Sequence, residues 1–230
     1  MDPTLLAAFR DDAWFGQIAP ERQAKLLAAG RIRLLRNRQR VYRLGDPPNG
    51  LYGVISGEVR LIGYPVAGRE LLLRRLEPGC WFGELSTVDG GPRPQDAVSF
   101  GASKVLHVAS RAFEQISRDD PEIFRDVARL LGLRQRTAVH YAGMILSLPA
   151  KMRLANLLLA ALDANEEARS ERTVSLTQNE VAAALGVSRQ TANKLLKSLE
   201  QKGALSLGYG RITLLNPARL NNSSKSRRQM

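Results

Sequence analysis

Apolar residues recur at helical spacing from about Thr4 to Ala29, through Leu5, Leu6, Phe9, Phe15, Leu26 and Leu27, and Pro20 predicts the start of a second short helix. From Arg31 to about Val108 the pattern changes to short apolar runs, Leu51 to Ile55, Val59 to Ile62, Leu71 to Leu76 and Val105 to Val108. Turn signals at Gly45-Asp46-Pro47-Pro48, Ser56-Gly57 and Pro78-Gly79 separate them, which predicts an antiparallel sandwich or barrel. After Ser110 the helical period returns, and a run opened by Pro121 continues to Pro149. Within it Val127, Leu131, Arg134, Ala138, Tyr141, Ile145 and Leu148 alternate spacings of four and three, the seam of a coiled coil with one polar position. This predicts a long dimerisation helix; the alternative is a helix packed only on its own β domain. The expected organisation is a helical lead-in (1–30), a β sensor domain (31–120), the dimerisation helix (121–148), a DNA-binding domain (149–220) and a disordered basic tail (221–230).

The last third carries the most specific chemistry. A helix is expected over Lys151 to Asp163, then a polar surface loop through Arg172 and a short strand at Val174-Ser175-Leu176. Thr177-Gln178-Asn179-Glu180 has the form of a capping box, in which threonine hydroxyl and glutamate carboxylate satisfy each other's backbone amides. The helix it starts carries Val181, Ala182 and Leu185 and breaks at Gly186, where a left-handed backbone costs least. Ser188 is the next N-cap, and the helix it opens runs through Gln201 with Ala192, Leu195, Leu196 and Leu199 inward. Small Ala182 opposite Ala192 lets the two helices cross closely, as a helix-turn-helix requires. Arg189, Gln190, Asn193 and Lys194 lie on the outer face, where guanidinium and amide groups suit base edges and a cation suits phosphate. With Thr177, Ser188 and Thr191 they form the candidate DNA-contacting set. Ala204 to Leu207, Gly208-Tyr209-Gly210 and Arg211 to Leu215 predict a hairpin wing.

Charge supports that reading. Lys and Arg number 34 against 22 Asp and Glu, a net charge of +12 that favours a polyanionic partner. The start Met1-Asp2-Pro3-Thr4 is read as neither a signal peptide nor an anchor, so a cytoplasmic protein without a membrane partner is expected. One cysteine, Cys80, and two histidines, His107 and His140, offer neither an intramolecular disulfide nor a metal-ligand set. They also leave no grouping for a stand-alone enzyme. Arg31, Arg33, Arg36, Arg38, Arg40 and Arg43 form a basic stretch without acidic residues, read as the solvated face of edge strands or else as a ligand or DNA-flank contact. Trp14, Trp81, Phe82 and Tyr52 are expected in packing rather than in a stacking platform.

The order of these segments resembles the cyclic-AMP receptor protein and fumarate–nitrate regulator family from about Arg31 to Leu215. The resemblance rests on Gly45-Asp46, Leu51-Tyr52 to Ser56-Gly57-Glu58-Val59, Pro78-Gly79 to Phe82-Gly83-Glu84-Leu85, Asp89-Gly90-Gly91-Pro92-Arg93, and Gly186-Val187-Ser188-Arg189. It implies an α+β chain: an N-terminal antiparallel β-roll, or double-stranded β-helix, of cyclic-nucleotide-binding type, a long dimerisation helix and a C-terminal winged helix-turn-helix. It further implies a bacterial homodimeric transcription regulator on a palindromic operator, with RNA polymerase as a further partner. In relatives that bind cyclic nucleotides, the segment matching Phe82 to Asp96 is a phosphate cassette. By that resemblance Gly83 to Leu85 would offer amides to phosphate, Glu84 would accept a ribose hydroxyl, and Arg93 would pair with the phosphate. The family pattern is broken where a hydroxyl residue becomes Pro94 and a small one Gln95, and Asp96 adds a negative charge near the expected anion site. Ungapped counting places the family's adenine-recognising hydroxyl pair at Ala138 and Val139, which cannot hydrogen-bond a base. An effector other than cyclic AMP is therefore expected, another cyclic nucleotide or cyclic di-GMP, with inhibition of DNA binding as one form of its action; a ligand-independent regulator and weak cyclic AMP binding are the alternatives. In the ligand-independent case Glu84 and Arg93 would form a salt bridge within the roll.

Overall fold

The computed structural model describes residues 3–66, 69–163, 173–174, 176–208, 210–217 and 219–220. The expected loop after Asp163, Ser175, Tyr209 of the hairpin and the tail from Asn221 lie outside them. The chain divides into two compact units, residues 1–137 and 138–230.

In the first unit, helices α1 (Pro3–Phe9) and α2 (Pro20–Ala29) flank a 3₁₀ turn at Phe15–Gln17 and precede a β-roll. Its strands are β1 (Arg31–Leu35), β2 (Arg40–Tyr42), β3 (Gly50–Val66), β4 (Arg69–Leu76), β5 (Trp81–Phe82) and β6 (Asp96–Ala109), with the short helix α3 (Glu84–Asp89) inserted. The sheet order is β1-β6-β3-β4, with β2 also on β6 and β5 on β3, and the pairings are antiparallel. Helices α4 (Ser110–Asp119) and α5 (Glu122–Ser147) follow. Burial of one face per strand produces two cores. One joins Phe9, Trp14, Phe15, Leu26 and Leu27 of the lead-in to Trp81, Phe113 and the start of α5; the other, inside the roll, contains Tyr42, Tyr52, Val54 and Phe82. Trp14, Trp81, Phe82 and Tyr52 are thus packing residues, as expected.

Two sequence expectations change. Leu51 to Ile55 and Val59 to Ile62 belong to one strand, β3, and Ser56-Gly57 is a bulge in its pairing with β6 rather than a turn. Gly57 has φ +79°, and a Cβ there would lie 2.5 Å from Ser103 Oγ, so the same residue chemistry serves a bulge as readily as a turn. Two positions of the expected seam are also used within the first unit. Val127 is buried in the unit's own core and Arg134 reaches into the roll, so both face inward rather than toward a second helix.

In the second unit, α6 (Ala150–Asp163), α7 (Gln178–Leu185) and α8 (Arg189–Gln201) pack with a three-stranded sheet of order β7-β9-β8. Strand β7 spans Thr173–Val174, β8 Leu205–Gly208 and β9 Arg211–Leu214. Its core joins Leu154 and Leu158 to Val181, Leu185, Ala192, Leu196, Leu199 and Ile212. No described helix is long and apolar enough to cross a membrane.

Candidate nucleic-acid interface and sensor cassette

Local chemistry builds the helix-turn-helix. Thr177 caps α7: its hydroxyl accepts from the Glu180 amide at 3.2 Å, and Glu180 Oε2 accepts from the Thr177 amide at 2.7 Å. Gly186 ends α7 at φ +63°, satisfying carbonyls of its last turn. Ser188 Oγ then accepts from the Thr191 amide at 3.1 Å and starts α8. Ala182 and Ala192 are both buried where the two helices meet. This leaves Ser188, Arg189, Gln190, Thr191 and Lys194 exposed along the first turns of α8, with Asn193 half-buried and Thr177 exposed at the start of α7. The Asn193 side-chain oxygen is buried without a partner among the described residues. Strands β8 and β9 form the hairpin that follows.

The cassette residues are arranged differently from expectation. Arg93 is buried, and its guanidinium donates to the Gly83 carbonyl at 2.8 Å, the Gly50 carbonyl at 2.6 Å and Asn49 Oδ1 at 2.6 Å. The Arg93 amide and carbonyl are tied as well, to Asp46 and Gly45 at 2.8 Å each. Gly83 is required by this packing: at φ +86°, a Cβ would sit 2.8 Å from Arg93 Nη1. The Arg93 Nε is buried without a partner among the described residues. Glu84 does not pair with Arg93; its carboxylate lies 3.5 Å from Arg134 Nε, and Arg134 also donates to the Trp81 carbonyl at 2.6 Å. Burial pushes the Glu84 carboxyl above the usual range, although its own amide, Arg74 and Arg93 pull the other way. Asp96 is engaged by its own set of donors. It is buried and accepts from the Leu44 amide at 2.7 Å, the Tyr64 hydroxyl at 2.8 Å and Arg40 Nε at 3.1 Å.

Leu85 and Pro94 are exposed and Gln95 is half-buried. Ala138 belongs to the second unit and is exposed. Tested against a cyclic nucleotide, the cassette of the first unit fits poorly: most guanidinium donors are spent on the protein and Pro94 has no amide hydrogen. Sequence reading missed Asn49 and Tyr42 and assigned Arg134 to the helix seam. In the basic stretch, Arg31, Arg36, Arg38, Arg40 and Arg43 are exposed, whereas Arg33 is half-buried near the Tyr52 hydroxyl.

Known proteins share both halves of this arrangement. Residues 32–120 match the family description "Cyclic nucleotide-binding domain", and residues 152–223 match "Crp-like helix-turn-helix domain". The chain is 33% identical over 183 residues to a CRP-like cAMP-activated global transcriptional regulator of Mycobacterium tuberculosis, covering 78% of this chain and 82% of that one. It is 30% identical over 206 residues to the cyclic AMP receptor protein of Thermus thermophilus, covering 90% and 94%. The solved structure of CLP, a c-di-GMP responsive global regulator of Xanthomonas campestris, superposes with a TM-score of 0.71 at 26% identity, covering 83% of this chain and 96% of that one. A β-roll joined through helices to a DNA-binding helix-turn-helix, with relatives matched across both, places the chain in the cyclic-AMP receptor protein and fumarate–nitrate regulator family of transcription regulators.

Proposed function

We propose that the chain is a homodimeric, sequence-specific transcription regulator that reads a palindromic operator in the cytoplasm and acts with RNA polymerase. The observation that carries this reading is the capped start of α8, where Ser188, Arg189, Gln190, Thr191 and Lys194 are exposed together on a chain of net charge +12. In this reading Arg189 contacts a guanine, Gln190 and Asn193 contact adenine edges, and Lys194 binds phosphate, while the Thr177, Ser188 and Thr191 hydroxyls add backbone contacts. Homodimerisation is supported by the apolar Tyr141, Ile145 and Leu146, exposed on the later turns of α5.

Cyclic AMP is not the effector in this reading, because the cassette residues Arg93, Pro94 and Gln95 supply too few free donors and the sequence offers no hydroxyl at Ala138. Relatives named for cyclic AMP and for c-di-GMP both resemble the chain, so membership alone does not choose among effectors. The roll takes a different ligand or none.

Selection of binding sites from random DNA by the full chain tests the central reading. Enrichment of a two-fold symmetric site with half-site centres about 34 Å apart is expected. Arg189→Ala should then cost about 1–3 kcal/mol and relax preference at one base position, whereas Lys194→Ala should weaken all sites alike and reduce the salt slope by about one. Absence of any enriched site, or unchanged binding in both variants, would sink the assignment.

A further inference from the structure

The first turn of α6 carries charge of the wrong sign for a helix start. Lys151 is its second residue and Arg153 its fourth, and no acidic residue accompanies them, although a helix N-terminus favours negative groups. Arg153 is compensated by reaching back: its Nη1 donates to the Ile145 carbonyl at 2.8 Å, in the last turn of α5. Lys151 has no such outlet. Its half-buried side chain comes within hydrogen-bonding reach of the Lys202 side chain, just past the end of α8, and the Lys202 charge holds the Lys151 ammonium below the usual lysine range. Among the described residues no carboxylate forms an ion pair with either lysine. Lys202 by itself is accounted for, because a cation there complements the negative end of α8, as does Arg219, which donates to the Lys202 carbonyl. Lys151 is not, since it opposes both its own helix end and a neighbour of like charge. Two ammonium groups brought together without a counter-charge are what an anionic oxygen between them would satisfy.

The helix that ends at this pair indicates which anion. Along its length α8 exposes Arg189, Lys194 and Lys197 before Lys202 is reached, and its one carboxylate, Glu200, is occupied by the Leu207 amide at 2.9 Å. Its 13 residues, at 1.5 Å each, place the pair about 20 Å along the axis from Arg189. Cations spread over that distance suit a partner with anions at intervals, a nucleic-acid backbone, better than a single carboxylate. We propose that Lys151 and Lys202 together hold one phosphate of the DNA backbone, beyond the bases that Arg189 and Gln190 read, so that the first turn of α6 anchors the duplex from outside the α7–α8 pair. The inference rests on the reading of the chain as a DNA-binding regulator and deepens it by adding a second anchoring point in each protomer.

Affinity of the full chain for its selected operator and for a random duplex, measured between about 50 and 200 mM salt, provides the test. Lys151→Ala, Lys202→Ala together should weaken both duplexes by the same factor, about ten-fold at the lower salt, and lower the slope of log affinity against log salt by about one per half-site. Lys151→Arg should keep the natural slope. In urea without DNA, Lys151→Ala should unfold at the natural chain's midpoint or above it, because the substitution separates two like charges. The proposal is overturned if the double variant keeps the natural slope and affinity, if its loss is confined to the operator, or if Lys151→Ala unfolds at lower urea, which would make the lysine a structural residue. A natural chain that binds random duplex but selects no operator would sink the sequence-specific reading while the slopes still judge the pair. A natural chain that binds no duplex would sink both.

Discussion

At Asp96 burial disfavours the charged form, but the Leu44 amide, the Tyr64 hydroxyl and Arg40 favour it more, and the carboxyl titrates below the ordinary aspartate range. Such a group stabilises the fold above its unfolded pKa, about 3.9, and that contribution is lost as pH falls through the lower folded value. Glu84 has the opposite sign. Burial raises its carboxyl above the ordinary glutamate range in the folded roll, so its contribution declines as pH rises from the unfolded value, about 4.3, through the higher folded one. Urea unfolding of the natural chain, Asp96→Asn and Glu84→Gln between about pH 3 and pH 7 separates them. Asp96→Asn should be destabilising at neutral pH with a deficit that shrinks toward pH 3, whereas Glu84→Gln should gain on the natural chain as pH rises past about 4.3. Parallel curves for all three would contradict the two environments.

The two helices of the DNA-binding unit illustrate what a chain segment can specify by itself. Thr177→Ala removes the hydroxyl that holds the Glu180 amide, and with it half of a reciprocal cap. Loss of about 1 kcal/mol in urea unfolding is expected, with the DNA-binding unit affected and the roll left intact. An unchanged midpoint would mean that packing of Val181 and Leu185 alone holds α7. Caps, the break at Gly186 and the apolar spacing of α8 are written within a few residues of where they act, which is why both helices are legible in the sequence itself. The roll is legible there only in outline. Gly57 announces a backbone irregularity without saying whether the strand turns or bulges. Arg93 finds Asn49 at a separation of 44 residues, and Glu84 finds Arg134 across the whole of β6 and α4. Pairings over such distances depend on register, and the shift between Arg40 and Tyr42 is invisible to an alternating pattern.

Across the whole molecule, the exposed apolar residues on the later turns of α5 stand out because residues 137–147 include no Asp, Glu, Lys or Arg to keep that stretch apart from another molecule. Leu146 is 87% exposed, and Tyr141 and Ile145 are exposed as well. Double substitution Tyr141→Glu, Ile145→Glu should give a monomer by light scattering and lower operator affinity by more than ten-fold, since each half-site would then be bound alone (about 1.4 kcal/mol per tenfold). A variant that remains dimeric would place the interface elsewhere. Two further exposed apolar residues lie on β1, an edge strand of the sheet, where Ile32 and Leu34 (71% exposed) alternate with Arg31 and Arg33. Repulsion between arginines on neighbouring molecules reaches about 10 Å at 0.1 M salt but only about 3 Å at 1 M. Concentrated stocks should therefore be colloidally stable in dilute buffer and prone to strand-on-strand association in strong brine, so the salt used to strip nucleic acid during purification is also the condition that unmasks this edge.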